Sequence, residues 1–414
     1  MEFIADLHIH SKYSRATSPQ MNVKDLAWSA RSKGITLLGT GDFTHPLWLL
    51  ELKKNLKPSE KNPGLYEHEG INFMLSAEVS TIFYVDGKAH QIHNIIFAPS
   101  FEAAEKINLE LEKYGSLGSD GRPMLHIEAE KLVKIVLSVD KECMVIPGHV
   151  WTPHFGLFGS QSGFDKIEYC YKDQTKNIHA LETGLSSDPA MNWRWSALDR
   201  FTLISNSDSH SPAKMGREAN VFNCKLSYFE IMDVLRKKDK NRFSYTIEFF
   251  PEEGKYHFDG HRNCNIRFSP KETKKHNGIC PVCKKPVVVG VLNRVDKLSD
   301  RPEGFVPPNA IPFKSLIPLQ EIIAEAMNKG VATKGVQEEY KACVQKFGGE
   351  FEILLKMKEG DLRKNLAEKV AEAIIRVRNG KVNIKPGFDG EYGTIEIFGE
   401  EEKQEVAEKQ ITLF

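Results

Sequence analysis

The sequence predicts an α/β fold over residues 1–248, followed by a small module held together by something other than a hydrophobic core, and then a mainly helical region. Three observations carry this. Short apolar runs alternate with helix-periodic segments through the first part of the chain. His, Asp and Glu recur at the ends of those runs. Beyond Phe250 the composition turns to Lys, Arg, Cys and Gly, with too few apolar residues for an ordinary core.

The alternation runs FIADLHIH, VKDLAWSARSKG, ITLLGTGD, NFMLSAEVS, HNIIFAP, CMVIPGHV, IHALETG and FTLISNSDSH. It reads as repeated β then α, hence a barrel or a doubly wound sheet, in which active sites form where strand ends and their loops converge. The next stretch, HFDGHRNCNIRFSPKETKKHNGICPVCKKP, lies in a module expected over 249–296. RPEGFVPPNAIPF reads as irregular connection, and LIPLQEIIAEAMNKG and LRKNLAEKVAEAIIRVRNG carry helical spacing within a domain expected over 297–399. Residues 400–414 form a charged tail with an apolar end, read as a mobile extension.

At 414 residues, two or three domains are expected. The 56 basic and 56 acidic side chains cancel, so any attraction to nucleic acid must come from local patches. The seven scattered cysteines and the start MEFIADLHIH, which lacks the pattern of a signal peptide, point to an intracellular, cytoplasmic chain with reduced thiols. No run approaches the roughly eighteen apolar residues that cross a bilayer, so no membrane association is expected.

His8 and His10 end the first predicted strand one residue apart, and so point to the same side. A lone His there commonly satisfies a buried hydrogen bond; a second, two places on, can share a metal ion with it. Asp42, Glu78, His93 and His149 recur at later strand ends, as do Asp208 and His210. These residue types suit a divalent metal, and a carboxylate can bridge two ions. Such ions make hydroxide available near neutral pH and stabilise charge on an attacked phosphate, so phosphoester hydrolysis is the expected reaction.

This ordered set resembles the polymerase-and-histidinol-phosphatase (PHP) family, whose pattern opens with His-x-His and closes with Asp-x-His. The resemblance covers about the first 230 residues. It implies a distorted seven-stranded α/β barrel carrying two or three divalent ions (zinc, manganese or magnesium), with His8, His10 and Asp208 at the catalytic centre. On that match His8, His10, Glu78 and Asp208 bind one ion, Glu78 bridges, His93 and His149 complete a second, and Asp42 and His210 belong to the remaining positions. The family's Thr-Asp-His motif is here Gly41, Asp42, Phe43, which puts the third site in doubt. His45 could substitute, or could be a surface-loop residue. The early histidine usual after the first motif is also missing, and Arg15 could contact phosphate instead.

His261 with Cys264, and Cys280 with Cys283, have the paired spacing of a zinc ribbon, implying one structural zinc. His257 and His276 compete with His261 for the fourth position. The surrounding Arg262, Arg267, Lys274 and Lys275 make a local basic surface that suits a phosphate backbone or, equally, a solvated face.

The order of PHP barrel, zinc module, helical region and short tail is similar to the endonuclease Q family over essentially the whole chain. That resemblance implies a DNA repair endonuclease, nucleoid-associated, that cuts 5′ to deaminated bases (uracil, hypoxanthine, xanthine) and at abasic sites. A small-molecule phosphatase or phosphodiesterase on the same barrel is the alternative. Lesion selectivity requires extruding the damaged nucleotide. Trp151, His154, Phe155, Phe158, Tyr171, Trp193 and Trp195 could line or prop a pocket for it, or simply pack the core. Finally, Gln410, Leu413 and Phe414 resemble the start of the peptide by which repair enzymes bind the sliding clamp PCNA. Docking of this end on the chain's own helical domain accounts for the same residues.

Overall fold

The computed structural model describes residues 2–399. Eleven strands belong to one hydrogen-bonded mixed sheet with helices packed around it. The strands that frame the site are β1 (Glu2–Asp6), β2 (Leu37–Gly39), β3 (Ile71–Val85), β4 (Lys88–Ala98), β5 (Met144–Pro147), β6 (Ala180–Glu182), β7 (Thr202–Ile204), β8 (Ala219–Asn223) and β9 (Phe243–Glu248). Helix Val23–Lys33 connects β1 to the parallel β2; the Asn22 side chain caps its start and Gly34, at φ 84°, ends it in the left-handed conformation.

The β-then-α rhythm breaks between β3 and β4, which form a long antiparallel hairpin. Its turn is Asp86-Gly87, with φ 49° and 76°, the dipeptide and geometry of a tight hairpin turn. β5 continues antiparallel to β4. On the other side of β1 lies β8, antiparallel to it, then β9, antiparallel to β8, and then the strand Phe313–Ser315, parallel to β9.

The ladders do not close into the seven-stranded ring that the resemblance implied. β6 and β7 pair only with each other. Between β7 and β1, side-chain amides stand in for backbone pairing: Asn206 Oδ1 accepts from the Leu7 N–H at 2.8 Å, and Asn220 of β8 bridges the two, its Nδ2 donating to the Ser205 carbonyl at 2.7 Å and the Ala5 carbonyl at 3.4 Å. Beyond them, single bonds join Asp208 N–H to the His8 carbonyl at 2.9 Å and His10 N–H to the Ser209 carbonyl at 3.0 Å.

The cysteine-bearing module is a short hairpin, Asp259–His261 with Ile266–Phe268, followed by helices Pro270–Lys275 and Val291–Leu298. The helical region comprises Leu319–Ala326, Lys334–Phe347, Glu359–Asn365 and Glu368–Arg378. The expected boundaries are not clean, because Phe313–Ser315 belongs to the main sheet and a hairpin of Asn383–Lys385 with Thr394–Glu396 follows the helices. Beside that hairpin, the Gly387 carbonyl accepts from Phe258 N–H at 2.9 Å, tying it to the module. Buried Glu350 docks the helices on the main sheet's first helix, accepting from Lys33 Nζ at 3.0 Å, Tyr340 OH at 2.9 Å and Leu319 N–H at 2.9 Å. No helix among the described residues is long and apolar enough to cross a membrane.

Candidate functional site

Two sets of ligand-type atoms converge where the ends of β1, β5 and β7 meet the middle of the β3–β4 hairpin. His8, His10, Glu78 and Asp208 make the first, and Glu78, His93 and His149 the second; within each, the atoms lie within 4.8 Å of one another. β1 ends at Asp6, before the two histidines, yet the chain stays extended: Ile9 bridges to Ser209, leaving both imidazoles on one side. In the hairpin Glu78 pairs with Ile95 and Ser80 with His93, so Glu78 and His93 share one face as diagonal neighbours. Asp208 and His149 take positive φ values of 47° and 27°. Gly184 lies so close to His149 that any side chain at 184 would collide with it.

Glu78 divides its oxygens between the sets. Oε2 lies 3.2 Å from His10 Nε2 and 3.6 Å from His8 Nε2, while Oε1 lies 2.8 Å from His93 Nδ1 and 3.0 Å from His149 Nε2. Asp208 Oδ1 is 3.0 Å from His10 Nε2. Despite these approaches, His8 Nε2, His10 Nε2 and Asp208 Oδ1 are shielded from solvent and make no hydrogen bond of acceptable angle. Each such atom costs about 1–3 kcal/mol when left unsatisfied. Imidazole nitrogens and carboxylate oxygens converging without partners fit the donor set of a divalent ion. The second set fits by composition, its nitrogens already being close to Glu78 Oε1.

Carboxylates behind the histidines orient them. Glu182, fully buried, lies 3.0 Å from His8 Nδ1 and also accepts from the His149 N–H at 2.9 Å and Asn206 Nδ2 at 2.8 Å. Asp42 plays the same part for His10, its Oδ1 at 2.9 Å from Nδ1. Its Oδ2 accepts from Ser11 N–H at 2.6 Å, Ser11 Oγ at 2.7 Å and Ser14 Oγ at 2.9 Å. Asp42 is thus not among the converging ligands: its acceptors are spent on fixing His10. His210 lies tilted beside His10 with ring centroids 4.5 Å apart, its Nδ1 3.0 Å from the Asp208 carbonyl oxygen, and belongs to neither set. His45 is buried against Tyr13 rather than exposed in a loop, and also stands outside both sets. Glu182 and Arg122, whose Nη1 is 3.2 Å from Glu78 Oε2, were not singled out in the sequence. Glu182 had a readable signal, an acid closing the apolar run IHALETG.

Burial alone pushes the Glu78 carboxyl up, but His93, Arg122, His10 and His149 hold it well below the usual carboxylate range. Asp208 behaves likewise through His10 and His8. His8 and His10 are driven the opposite way: burial opposes their protonation, but Glu182 and Glu78 around His8, and Asp42, Asp208 and Glu78 around His10, raise them well above an ordinary imidazole. At His93 burial wins and pushes the pKa down to about 4. A metal ion entering such a pocket would displace protons.

In the module, His261, Cys264, Cys280 and Cys283 converge within 4.8 Å. The competing histidines lie elsewhere: His257 is buried, stacked near Phe258, and His276 stacks on Phe268 at 4.7 Å. The basic residues are partly engaged. Lys274 Nζ pairs with Asp296 at 2.7 Å, Arg267 Nη1 donates to the Pro386 carbonyl at 3.2 Å, and the Arg262 N–H donates to Asp389 at 2.6 Å. Of the aromatic residues, Trp151, Phe158 and Tyr171 are buried core, with Trp195 packed on the first two. Phe155, by contrast, stacks flat on His93 at 4.8 Å. It lines a cleft of about 240 Å³ with Arg15, Asp120, Arg122 and Met124. Gln410, Leu413 and Phe414 lie outside the described residues.

A family model described as the MJ0043 C-terminal domain matches residues 318–381. The uncharacterized protein MJ0043 of Methanocaldococcus jannaschii is 36% identical over 274 residues, 64% of this chain but 33% of that protein, so the match spans only a third of that relative. The uncharacterized protein YqxK of Bacillus subtilis is 28% identical over 409 residues, 94% of this chain and 98% of that one. The crystal structure of the lesion-specific endonuclease PfuEndoQ from Pyrococcus furiosus superposes with a TM-score of 0.85 at 30% identity, covering 96% of this chain and 95% of that one. An endonuclease Q in complex with a 27-mer duplex substrate, an abasic lesion at its active site, superposes with a TM-score of 0.84 at 30% identity, covering 97% and 98%.

Proposed function

The chain belongs to the endonuclease Q family, and from that premise we propose that it is a metal-dependent DNA repair endonuclease. It hydrolyses the phosphodiester 5′ to deaminated bases (uracil, hypoxanthine, xanthine) and at abasic sites, leaving a 3′ hydroxyl and a 5′ phosphate. The observation that carries this reading is the pair of buried ligand sets sharing Glu78, in a fold whose relative was crystallised on a lesion-bearing duplex.

His8, His10, Glu78 and Asp208 hold one divalent ion, and Glu78, His93 and His149 a second. When bound, such ions make water nucleophilic near neutral pH and offset charge on the attacked phosphate. The chain's own residues do the rest. Glu182 and Asp42 fix the His8 and His10 rings so that their Nε2 atoms face the site. Phe155 closes one side of it against His93. His261, Cys264, Cys280 and Cys283 hold a structural zinc, and Arg262, Arg267, Lys274 and Lys275 present positive charge to the DNA backbone. Gln410, Leu413 and Phe414 engage the sliding clamp; deleting residues 410–414 should leave intrinsic nicking intact and abolish stimulation by the clamp.

The test is nicking of duplexes that each carry one uracil, hypoxanthine, xanthine or abasic site, with chelator and with manganese, zinc or magnesium restored. Chelator-sensitive cuts 5′ to the lesion are expected. Hydrolysis of a chromogenic phosphomonoester with every duplex left intact would replace this reading with a small-molecule phosphatase.

A further inference from the structure

One half-buried cation beside the ligand sets, Arg122, has no part in the scheme above. Arg122 places Nη1 3.2 Å from Glu78 Oε2, the same oxygen that His8 and His10 approach. We propose that Arg122 binds the phosphate under attack, a role that rests on the nuclease reading and names the residue that grips its substrate.

The loop carrying Arg122 is preset. Arg122 N–H donates to Asp120 Oδ1 at 3.0 Å, Gly121 N–H to the Tyr13 carbonyl at 3.1 Å, and Ser80 N–H to the Pro123 carbonyl at 3.0 Å. Gly121 lies directly on Ser14 and Asp42, where any side chain would collide with both. The loop is therefore seated on the same hydroxyl and carboxylate network that orients His10, which holds Arg122 in register with the ligand set.

The charge balance argues for an anionic partner. Glu78 already has imidazoles at both oxygens, so its neutralisation does not require a guanidinium. A fixed cation this close to metal ligands opposes metal binding by like-charge repulsion, a cost that an incoming anion offsets. Of the five N–H donors on a guanidinium, the described residues use one, for Glu78. Arg122 also lines the cleft of about 240 Å³ beside His93, with Ser80, Gln91 and Phe155 on its walls. Exposed Arg15 stands at the same cleft, 3.4 Å from Asp120. An arginine fork with spare donors in a polar cleft beside a hydrolytic centre suits a phosphate oxygen pair.

The experiment uses full-length, manganese-loaded protein and the variants Arg122→Gln and Arg122→Lys, with metal content, inorganic phosphate binding by calorimetry and single-turnover nicking of an abasic duplex as readouts. In Arg122→Gln metal affinity should stay equal or rise, phosphate binding should weaken by about tenfold or more, and nicking at saturating metal should fall by about a hundredfold. Arg122→Lys should recover part of both losses, keeping the charge but not the fork. The slope of DNA affinity against salt should shrink by about 0.9 in Arg122→Gln. Phosphate binding and saturating-metal nicking within twofold of wild type would overturn the proposal, as would a defect wholly explained by lost metal. If the wild-type protein nicked no lesion duplex the nuclease reading would fall, and the phosphate titration would still decide Arg122.

Discussion

The two clusters of metal-type ligands in this chain are built in opposite ways. The main-sheet cluster draws its residues from His8 through Asp208, and the segments that carry them bury their own apolar residues, among them Leu7, Ile9, Val79 and Ile92. The module draws all four ligands from the stretch His261–Cys283, and its apolar cluster buries only Phe268, Cys280 and Val287, one of them a ligand. Where the fold itself assembles such residues, a bound metal would have only chemistry to supply. Where they are local and the core is this small, a bound metal would supply the fold.

The largest effect expected from this contrast is at Asp208. Asp208→Asn should lower lesion cleavage by roughly three orders of magnitude, with lesion DNA still bound. The melting temperature of the metal-free protein should fall only modestly, because His10 and His8 lose one anionic partner but keep Glu78, Glu182 and Asp42. A melting loss as large as that of a module variant would break the comparison.

In the module the order reverses. Cys283→Ser should cost about one zinc per chain and speed hydrogen exchange across the hairpin Asp259–Phe268, with the strands of the main sheet unchanged and DNA binding weakened. Unchanged zinc content would remove this thiol from the ligand set.

A subtler change tests whether the main sheet preorganises its site. Glu182→Gln keeps the size of the group behind His8 but removes its charge, and should weaken metal affinity by about 10- to 100-fold, read by manganese titration. Identical affinity would mean that packing alone orients the ring.

The smallest effect is on stability and is independent of metal. Burial pushes Glu248 up from the ordinary glutamate range to about 8, so the folded state favours its neutral acid. That stability is fully present below the ordinary glutamate range and is lost as pH rises through about 8. Glu248→Gln should flatten the decline, with urea midpoints at about pH 5, 7 and 9 as the measure and chelator making no difference. A chelator-dependent slope would tie this carboxyl to the metal cluster instead.

Much of this contrast was legible in the chain itself. The module's cysteine pairs are legible because paired knuckles are local and their spacing is set by tight turns; of His257, His261 and His276, the structure brings His261 to the cysteines, stacks His276 on Phe268 and buries His257. The β3–β4 hairpin was hidden by reading its two apolar runs as separate β–α units, although Asp86-Gly87 between them is a turn signal. Arg122 sits in a polar loop with no periodicity to mark it.

By itself the sequence determined the α/β class, the resemblance to endonuclease Q and the His, Asp and Glu residues that accompany the apolar runs, since these follow from local periodicity and the order of motifs. Only the tertiary structure decided what each of those residues touches. Asp42 and Glu182 are both acids after apolar runs, as Glu78 and Asp208 are near theirs. Yet Asp42 meets His10 Nδ1 and the Ser11 and Ser14 hydroxyls, Glu182 meets His8 Nδ1 and Asn206, and only Glu78 and Asp208 join the converging ligands. Whether a carboxylate binds a metal or steadies the histidine that does depends on which imidazole nitrogen it faces, and that is set by strand register and by loops that meet across the fold.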